Sequence, residues 1–424
     1  MQLPQQFIDY TSALFGAERW QCFLKAIEEE PTVSVRFNPW KYVQENLFAG
    51  AVAVPWCRNA FWLKTRPDFT HDPLFHAGVY YVQEAGSLFL DYVLREYVKE
   101  PVLALDLCAA PGGKATLMRA ALPQGSVLVA NETDRRRANI LLENMQKQGH
   151  PEVLVTHNSA QDFAQTNWTF DVILTDVPCS GEGLFRKDEG AIKEWSLQNV
   201  VYCQKRQRKI LQDIWPCLKA GGLLIYSTCT FNTQENEENI RFIAEELGAE
   251  ILPIPVKKEW QICGSLLNGF DGPVYRFIPG ITQSEGLFTA VLRKKGEARG
   301  HNILPSSARR HAQVNKLIHL LSDGLPVAEQ KGKETIPAAA QALSLNLGQN
   351  DYSRVELSLE QALKYLHREA LVLPTGTPKG FVIVTYKKHP LGFMKNLGER
   401  ANNLYPKNWA IRNLQKCFST QHQN

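Results

Sequence analysis

At 424 residues the chain exceeds one ordinary core, so two or three domains are expected. Its apolar fraction of 44% is that of a globular protein, and no run approaches bilayer-spanning length. The start, Met1-Gln-Leu-Pro-Gln-Gln6, lacks the basic and then apolar pattern of a secretory signal. Residues up to about Ile27 read as helix, with Phe7, Leu14, Phe23, Leu24 and Ile27 as core positions, and Pro31 ends it. Val33–Phe37 alternates as a strand closed by Asn38-Pro39. Residues 50–80 hold aromatics and prolines without a period and read as irregular. The stretch Gly78–Ser87 then leads into a helix through Tyr92 to Tyr97.

From there strand and helix alternate. Strands are expected at 102–107, 126–130, 153–156, 172–175 and 223–227. Helices are expected from near Lys114, over Arg135–Lys147, and over Gln198–Leu218, the last broken by Gly221-Gly222. This alternation predicts an α/β fold with a parallel sheet and helices on both faces. Arg293–Gly300 is charged, carries two glycines and reads as a linker. Residues 301–370 read as mostly helical, and 371–424 as a small β-rich module with Phe381–Tyr386 as its clearest strand. The net charge is only +4, yet from Leu371 onward eight Lys or Arg face one Glu. That is either a footprint that follows phosphates or a solvated basic surface. The nine cysteines are scattered without a Cys-x-x-Cys pair, which disfavours a zinc ribbon or a thioredoxin-type site. Free thiols in a reducing cytoplasm are expected, and no metal.

Chemistry is concentrated at strand ends, where open α/β sheets bind ligands. Phe170-Asp-Val-Ile-Leu-Thr-Asp-Val-Pro-Cys-Ser-Gly-Glu-Gly183 runs from a buried strand into a small polar turn, and delivers Asp176 and Cys179 together. Leu223-Leu-Ile-Tyr-Ser-Thr-Cys-Thr230 delivers Cys229. If the two strands are neighbours, both thiols face one site. Asp106-Leu-Cys-Ala-Ala-Pro-Gly-Gly-Lys-Ala115 sits at the first strand-to-helix turn. Its small residues allow close backbone approach, and the helix start offers N–H groups to an anion. The three-glycine dinucleotide fingerprint is absent, which disfavours NAD. Glu132 ends the second strand, where a carboxylate accepts from ribose hydroxyls. Together these suit S-adenosylmethionine; the bland alternative is a tight turn with a solvated Glu. C5 of a pyrimidine is a poor nucleophile until a thiolate adds at C6. Asp176, Cys179 and Cys229 supply a thiol pair and an acid for that chemistry. Most isolated cysteines are instead small core residues, the reading for Cys22, Cys203, Cys217, Cys263 and Cys417. Lys114 lowers a thiol pKa, holds a phosphate, or is a solvated helix-start lysine.

These motifs, with Glu235-Asn-Glu-Glu238, Ser34-Val-Arg-Phe-Asn38 and Tyr81-Val-Gln-Glu84, resemble the Nop/Sun family of RNA cytosine-C5 methyltransferases. Gly392-Phe-Met-Lys-Asn396 and Asn403-Leu-Tyr-Pro-Lys407 resemble the C-terminal PUA-like module of its bacterial 16S ribosomal RNA members. The resemblance implies a Rossmann-like S-adenosylmethionine-dependent methyltransferase domain, with an N-terminal α/β module and a PUA-like RNA-binding module. The expected boundaries are 1–85 (N-terminal RNA-binding and packing module), 86–296 (catalytic), 297–370 (linker and mostly helical connection) and 371–424 (PUA-like). It implies Cys229 as nucleophile on C6, Cys179 as the residue that assists release, and Asp176 against the cytosine ring. Cofactor contacts would come from Cys108, Ala109, Ala110, Pro111, Gly112, Gly113, Lys114, Glu132 and Asp176, leaving S-adenosylhomocysteine as product. Two departures stand out. The usual acid after the third strand is replaced by Thr156-His-Asn-Ser-Ala160, so Ser159 or Asn158 would meet the adenine. The family's Pro-His before the last strands is Pro279-Gly280 here. The implied partner is ribosomal RNA or the small subunit, met by a monomer without membrane contact. The rivals are a transfer RNA enzyme of the same chemistry and a catalytically silent RNA-binding assembly factor.

Overall fold

The computed structural model describes residues 2–41, 47–166, 168–296, 308–348 and 350–413. Its centre is a nine-stranded sheet. Strands Leu103–Asp106, Val127–Asn131, Val153–Thr156, Phe170–Asp176 and Leu218–Thr228 are the parallel part. In space they follow the order third, second, first, fourth, fifth, so the order reverses between Leu103–Asp106 and Phe170–Asp176. Such a reversal opens a crevice at the strands' carboxyl ends. Leu287–Lys294 pairs antiparallel with Leu218–Thr228, and Ala249–Leu252 with Leu287–Lys294. Leucine, valine and isoleucine dominate these strands because both faces are covered: one apolar cluster holds Ala104, Leu128 and Leu174, the other Leu105, Val129 and Ile173.

Several expectations need correction. The helix read to Leu218 ends at Ile214, because Pro216 tightens the next residues into a 3-10 turn. Gly221-Gly222 then lie inside a strand that starts at Leu218, where the pairing with Phe170–Asp176 shifts register. Residues 50–80 are not wholly irregular: Val52–Ala53 and Ala60–Leu63 join Val33–Phe37 and Tyr80–Val82 in a four-stranded sheet. The N-terminal helix Gln5–Glu28 is interrupted at Gly16; Phe7 and Phe23 are buried with Phe15 and Trp20, and Leu14, Leu24 and Ile27 pack half-buried against the same cluster. Arg293 and Lys294 belong to a strand, while 297–300 of the expected linker lie outside the described residues. Beyond it, helices Ala308–Val314, Ala339–Leu343 and Leu359–Leu366 alternate with strands, so this stretch is mixed rather than mostly helical. One of those strands, Leu320–Asp323, pairs antiparallel with Val153–Thr156 and closes that edge of the central sheet.

The C-terminal sheet starts at Arg354–Glu356, ahead of Leu371, and pairs in order with Gly380–Tyr386, His389–Asn396 and Ala401–Asn403. It shares one core with the N-terminal module: Val35, Phe37 and Tyr80 lie in the same cluster as Tyr365, Tyr405 and Trp409. Cys203 and Cys217 are buried as expected, but Cys22 is exposed and Cys263 half-buried, and Cys417 lies outside the described residues.

Candidate active site

The fourth and fifth parallel strands are neighbours, and their ends bring the two thiols into contact: Cys179 Sγ lies 3.3 Å from Cys229 Sγ. The hydrogen bond to Cys229, together with burial, pushes the Cys179 thiol far up and keeps it protonated. Asp176 is clamped from two sides, accepting from Lys114 Nζ at 2.9 Å and from Ser227 Oγ at 2.6 Å. Burial works against the Lys114 ammonium, but Asp176 and then Cys229 outweigh it, and its pKa rises. Lys114 is therefore neither a solvated lysine nor a free anion ligand; it is an ion-pair partner set between the acid and the nucleophile candidate.

Behind the thiols lies a buried polar knot. Glu235 accepts from Ser180 N at 3.1 Å, Gln207 Nε2 at 2.6 Å and Asn232 Nδ2 at 2.8 Å. Gln207 Nε2 also donates to Pro178 O at 2.9 Å, so the residues on both sides of Cys179 are held. Glu182 accepts from Phe231 N at 2.6 Å, Asn232 N at 3.0 Å and Trp195 Nε1 at 3.0 Å, which holds the chain just after Cys229. Burial, with Glu182 nearby, raises Glu235 to about 7. Gly183 N donates to Cys229 O at 2.7 Å, and a β-carbon at Gly183 would sit 2.8 Å from that oxygen, so this crossing of the loops needs glycine. Arg276 adds a buried ion pair with Glu237 and donates to Phe231 O at 2.7 Å. The N-terminal helix props the same loops, with Phe7 against Phe185 at 5.0 Å and Phe23 against Phe231 at 5.4 Å.

The far side of the cleft differs in character. A cleft of about 740 Å³ runs from Glu132, Thr133 and Ser159 past Cys108 and Ala110 to Asp176, Cys179 and Cys229. Glu132 Oε1 accepts from Asp134 N at 3.0 Å, but its Oε2 has no hydrogen-bond partner, with the Arg137 guanidinium 3.3 Å away. Asp106 is wholly buried at the base of the turn, with only the Cys108 backbone N–H near it; burial and then Asp176 push it up to about 8. Of the turn residues only Cys108 and Ala110 line the cleft. Ala109 and Gly112 are buried behind it, Gly113 packs toward Tyr81, and Pro111 O is taken by Asn144 Nδ2 at 2.7 Å. Ser159 reaches the rim, where its hydroxyl caps the helix Ala160–Gln165. Asn158 does not: its amide donates to Leu317 O at 2.8 Å and accepts from His319 N at 3.0 Å. Gly280 also has a steric reason, since a β-carbon there would collide with the Cys22 carbonyl.

Sequence reasoning thus placed Asp176, Cys179 and Cys229 in one site. It missed Asp106 as a buried acid and gave no role to Glu182 or Glu235. The available signal was the density of amide and carboxyl residues in Asn232-Thr-Gln-Glu-Asn-Glu-Glu238, too polar for an ordinary buried turn.

The strand order and the crevice at its reversal are those of a Rossmann-like methyltransferase. Residues 93–293 match the family model of 16S rRNA methyltransferase RsmB/F, residues 3–85 that of the RsmF N-terminal domain, and residues 352–411 that of the RsmF PUA domain. The ribosomal RNA small subunit methyltransferase F of Aeromonas hydrophila is 31% identical over 96% of this chain and 97% of its own length. That of Aliivibrio fischeri is 30% identical over 91% and 92%. A methyltransferase homologue from Pyrococcus horikoshii superposes with a TM-score of 0.57 at 26% identity, over 69% of this chain and 100% of its own. The NSun6 structure from the same organism, with SFG, shares the fold at a TM-score of 0.58 and 20% identity, over 69% and 99%. The chain belongs to the ribosomal RNA small subunit methyltransferase F family. Among the described residues no helix is long and apolar enough to cross a membrane.

Proposed function

We propose that this protein methylates C5 of a cytosine in small-subunit ribosomal RNA, acting as a monomer in the cytoplasm. The observation that carries the reading is the thiol pair, with the Lys114–Asp176 ion pair beside it. S-adenosylmethionine, when bound, supplies an electrophilic methyl group and leaves as S-adenosylhomocysteine. The residues fit it: Glu132 lines the cleft with an Oε2 that has only the half-exposed Arg137 guanidinium beside it and can accept from a ribose hydroxyl, and Cys108 and Ala110 line the cleft between it and the thiols. Ala109 and the Pro111–Gly113 turn shape that wall from behind, and Ser159 stands at the adenine end.

Cys229, at the end of the fifth parallel strand in the Thr-Cys motif, is the attacking sulfur, while burial and its hydrogen bond hold Cys179 protonated. Its thiolate bonds to C6, and the C5–C6 π pair becomes available at C5. Asp176, fixed by Lys114 and Ser227, orients the ring through its N3 edge. After methylation the C5 proton must leave and the C6–Sγ bond must break. Cys179 passes its proton to the departing Cys229 sulfur and takes up the C5 proton, so both thiols end protonated.

Denaturing gels of enzyme mixed with unmodified 16S RNA and labelled S-adenosylmethionine test this. Cys229→Ala should give neither product nor protein–RNA adduct. Cys179→Ala should accumulate an adduct that depends on S-adenosylmethionine. Adducts in the Cys229 variant alone would make Cys179 the attacker, and adducts in neither would remove the covalent route.

A further inference from the structure

The helix Leu197–Ile214 has two faces with different occupations. Its inner face is fixed to the catalytic loops: Gln207 holds Pro178 O and Glu235, and Arg208 Nε donates to Asn239 Oδ1 at 3.0 Å. Its outer face is bare. Tyr202 is 63% exposed, and Lys205, Arg206 and Lys209 follow on the same side at helical spacing. From Leu197 to Gln212 there are four Lys or Arg and no acid. The helix follows the Phe170–Asp176 strand and runs back to the start of the next, so its amino-terminal half stands beside the strand ends that carry the thiols. One turn below Tyr202, Arg206 lines the same cleft as Cys179 and Cys229, as do Ile210 and Asp213 further along the helix.

We propose that Tyr202, Lys205 and Arg206 form the docking track for the single-stranded RNA that flanks the target cytosine. The proposal rests on the reading of this site as an RNA methyltransferase. A base reaches Cys229 only when it leaves its stack, which strips its neighbours of stacking partners. An exposed aromatic ring beside the cleft replaces that stacking, and the basic side chains take the flanking phosphates. Lys209 contributes less, since Asp213 already pairs with it at 2.6 Å.

The test pairs anisotropy of a fluorescent uridine–cytosine oligoribonucleotide, across a salt series, with methyl transfer to unmodified 16S RNA. Tyr202→Ala should weaken oligonucleotide binding and raise the RNA KM about tenfold. It should hold kcat and the salt slope, and Tyr202→Phe should restore binding. Lys205→Gln combined with Arg206→Gln should flatten the log–log salt slope by about 0.7 per lost phosphate contact. S-adenosylmethionine affinity and melting temperature should stay at wild-type values in Tyr202→Ala and in Lys205→Gln alone. Unchanged RNA binding in Tyr202→Ala and in the double variant would leave a solvated helix face and overturn the proposal. Loss of cofactor binding or thermal stability in parallel would overturn it too, by making the effect structural. Absence of methyl transfer in the wild type would instead defeat the activity itself, while the anisotropy still reports on the track.

Discussion

The two ends of the cleft hold their acids in opposite ways. At the thiol end Glu182 and Glu235 are buried with a donor for nearly every oxygen lone pair. At the other end Asp106 has only the Cys108 backbone N–H near it, and Glu132 Oε2 has only the half-exposed Arg137 guanidinium at 3.3 Å. A fully satisfied buried network makes a unique geometry, whereas sparsely satisfied buried carboxyls are a cost the apo protein carries. The thiol end is therefore built in advance. In the proposed reading the other end is completed by the cofactor that binds there.

Substitutions should separate the two. The largest effect is expected from Glu182→Ala, which strips the acceptor from Phe231 N, Asn232 N and Trp195 Nε1. Stability should fall by at least about 3 kcal/mol, at roughly 1–3 kcal/mol per orphaned donor. Methylation should fall with it as both loops loosen; denaturant titration and activity on one sample check this. A variant as stable as wild type would show that the knot does not hold the loops.

Glu132→Ala should behave in the reverse manner. It removes a local turn contact and an ion pair to the half-exposed Arg137, so apo stability should change by about 1 kcal/mol. Calorimetry should show S-adenosylmethionine affinity down about tenfold to a hundredfold, the size of a charge-assisted hydrogen bond. A large loss of stability with unchanged affinity would erase the contrast.

The Asp106 carboxyl, raised to about 8, yields a pH test. Its folded-state pKa lies above the unfolded value of about 3.9, so its contribution is fully present below about pH 4 and is lost as pH rises toward 8. Glu235, raised to about 7, has the same sign. Melting temperature of the apo protein should decline over that window, and Asp106→Asn should make the decline shallower. An unchanged slope would mean that Asp106 is not the titrating group.

The smallest effect should come from the C-terminal basic surface. Removing residues 371–424 would expose the core shared with Val35 and Tyr80, so charge removal is the cleaner probe. Lys387→Gln with Lys388→Gln, both exposed at the tip of a hairpin, should lower the salt slope of RNA binding by at most about 0.9 per phosphate. No change in slope would assign those lysines to solvent.

How legible each part was follows the same division. The parallel strands and the thiol pair were legible because apolar runs announce buried strands, and strand ends carry ligands whatever packs around them. Val153–Thr156 came out at its observed limits. The end of the helix at Ile214 was not read, since Trp215-Pro216-Cys217 continues the apolar pattern while changing the backbone. Val52–Ala53 is too short to alternate, and Leu320–Asp323 ends in Ser322-Asp323, so neither reads as an apolar run. The knot stayed hidden for a different reason. Glu182, Gln207, Asn232 and Glu235 come from three separate segments, and only their meeting makes each one's burial affordable.

The strand Leu320–Asp323 bears on how the protein is made. Its partner, Val153–Thr156, is an outer strand of the parallel array and has open backbone groups until the later segment arrives. On the order of 160 residues separate the two, which a ribosome adds in roughly ten to thirty seconds. During that interval the nascent catalytic sheet has a sticky margin. A chain halted before Asp323 should therefore self-associate or recruit chaperones, although every catalytic side chain has already been synthesised.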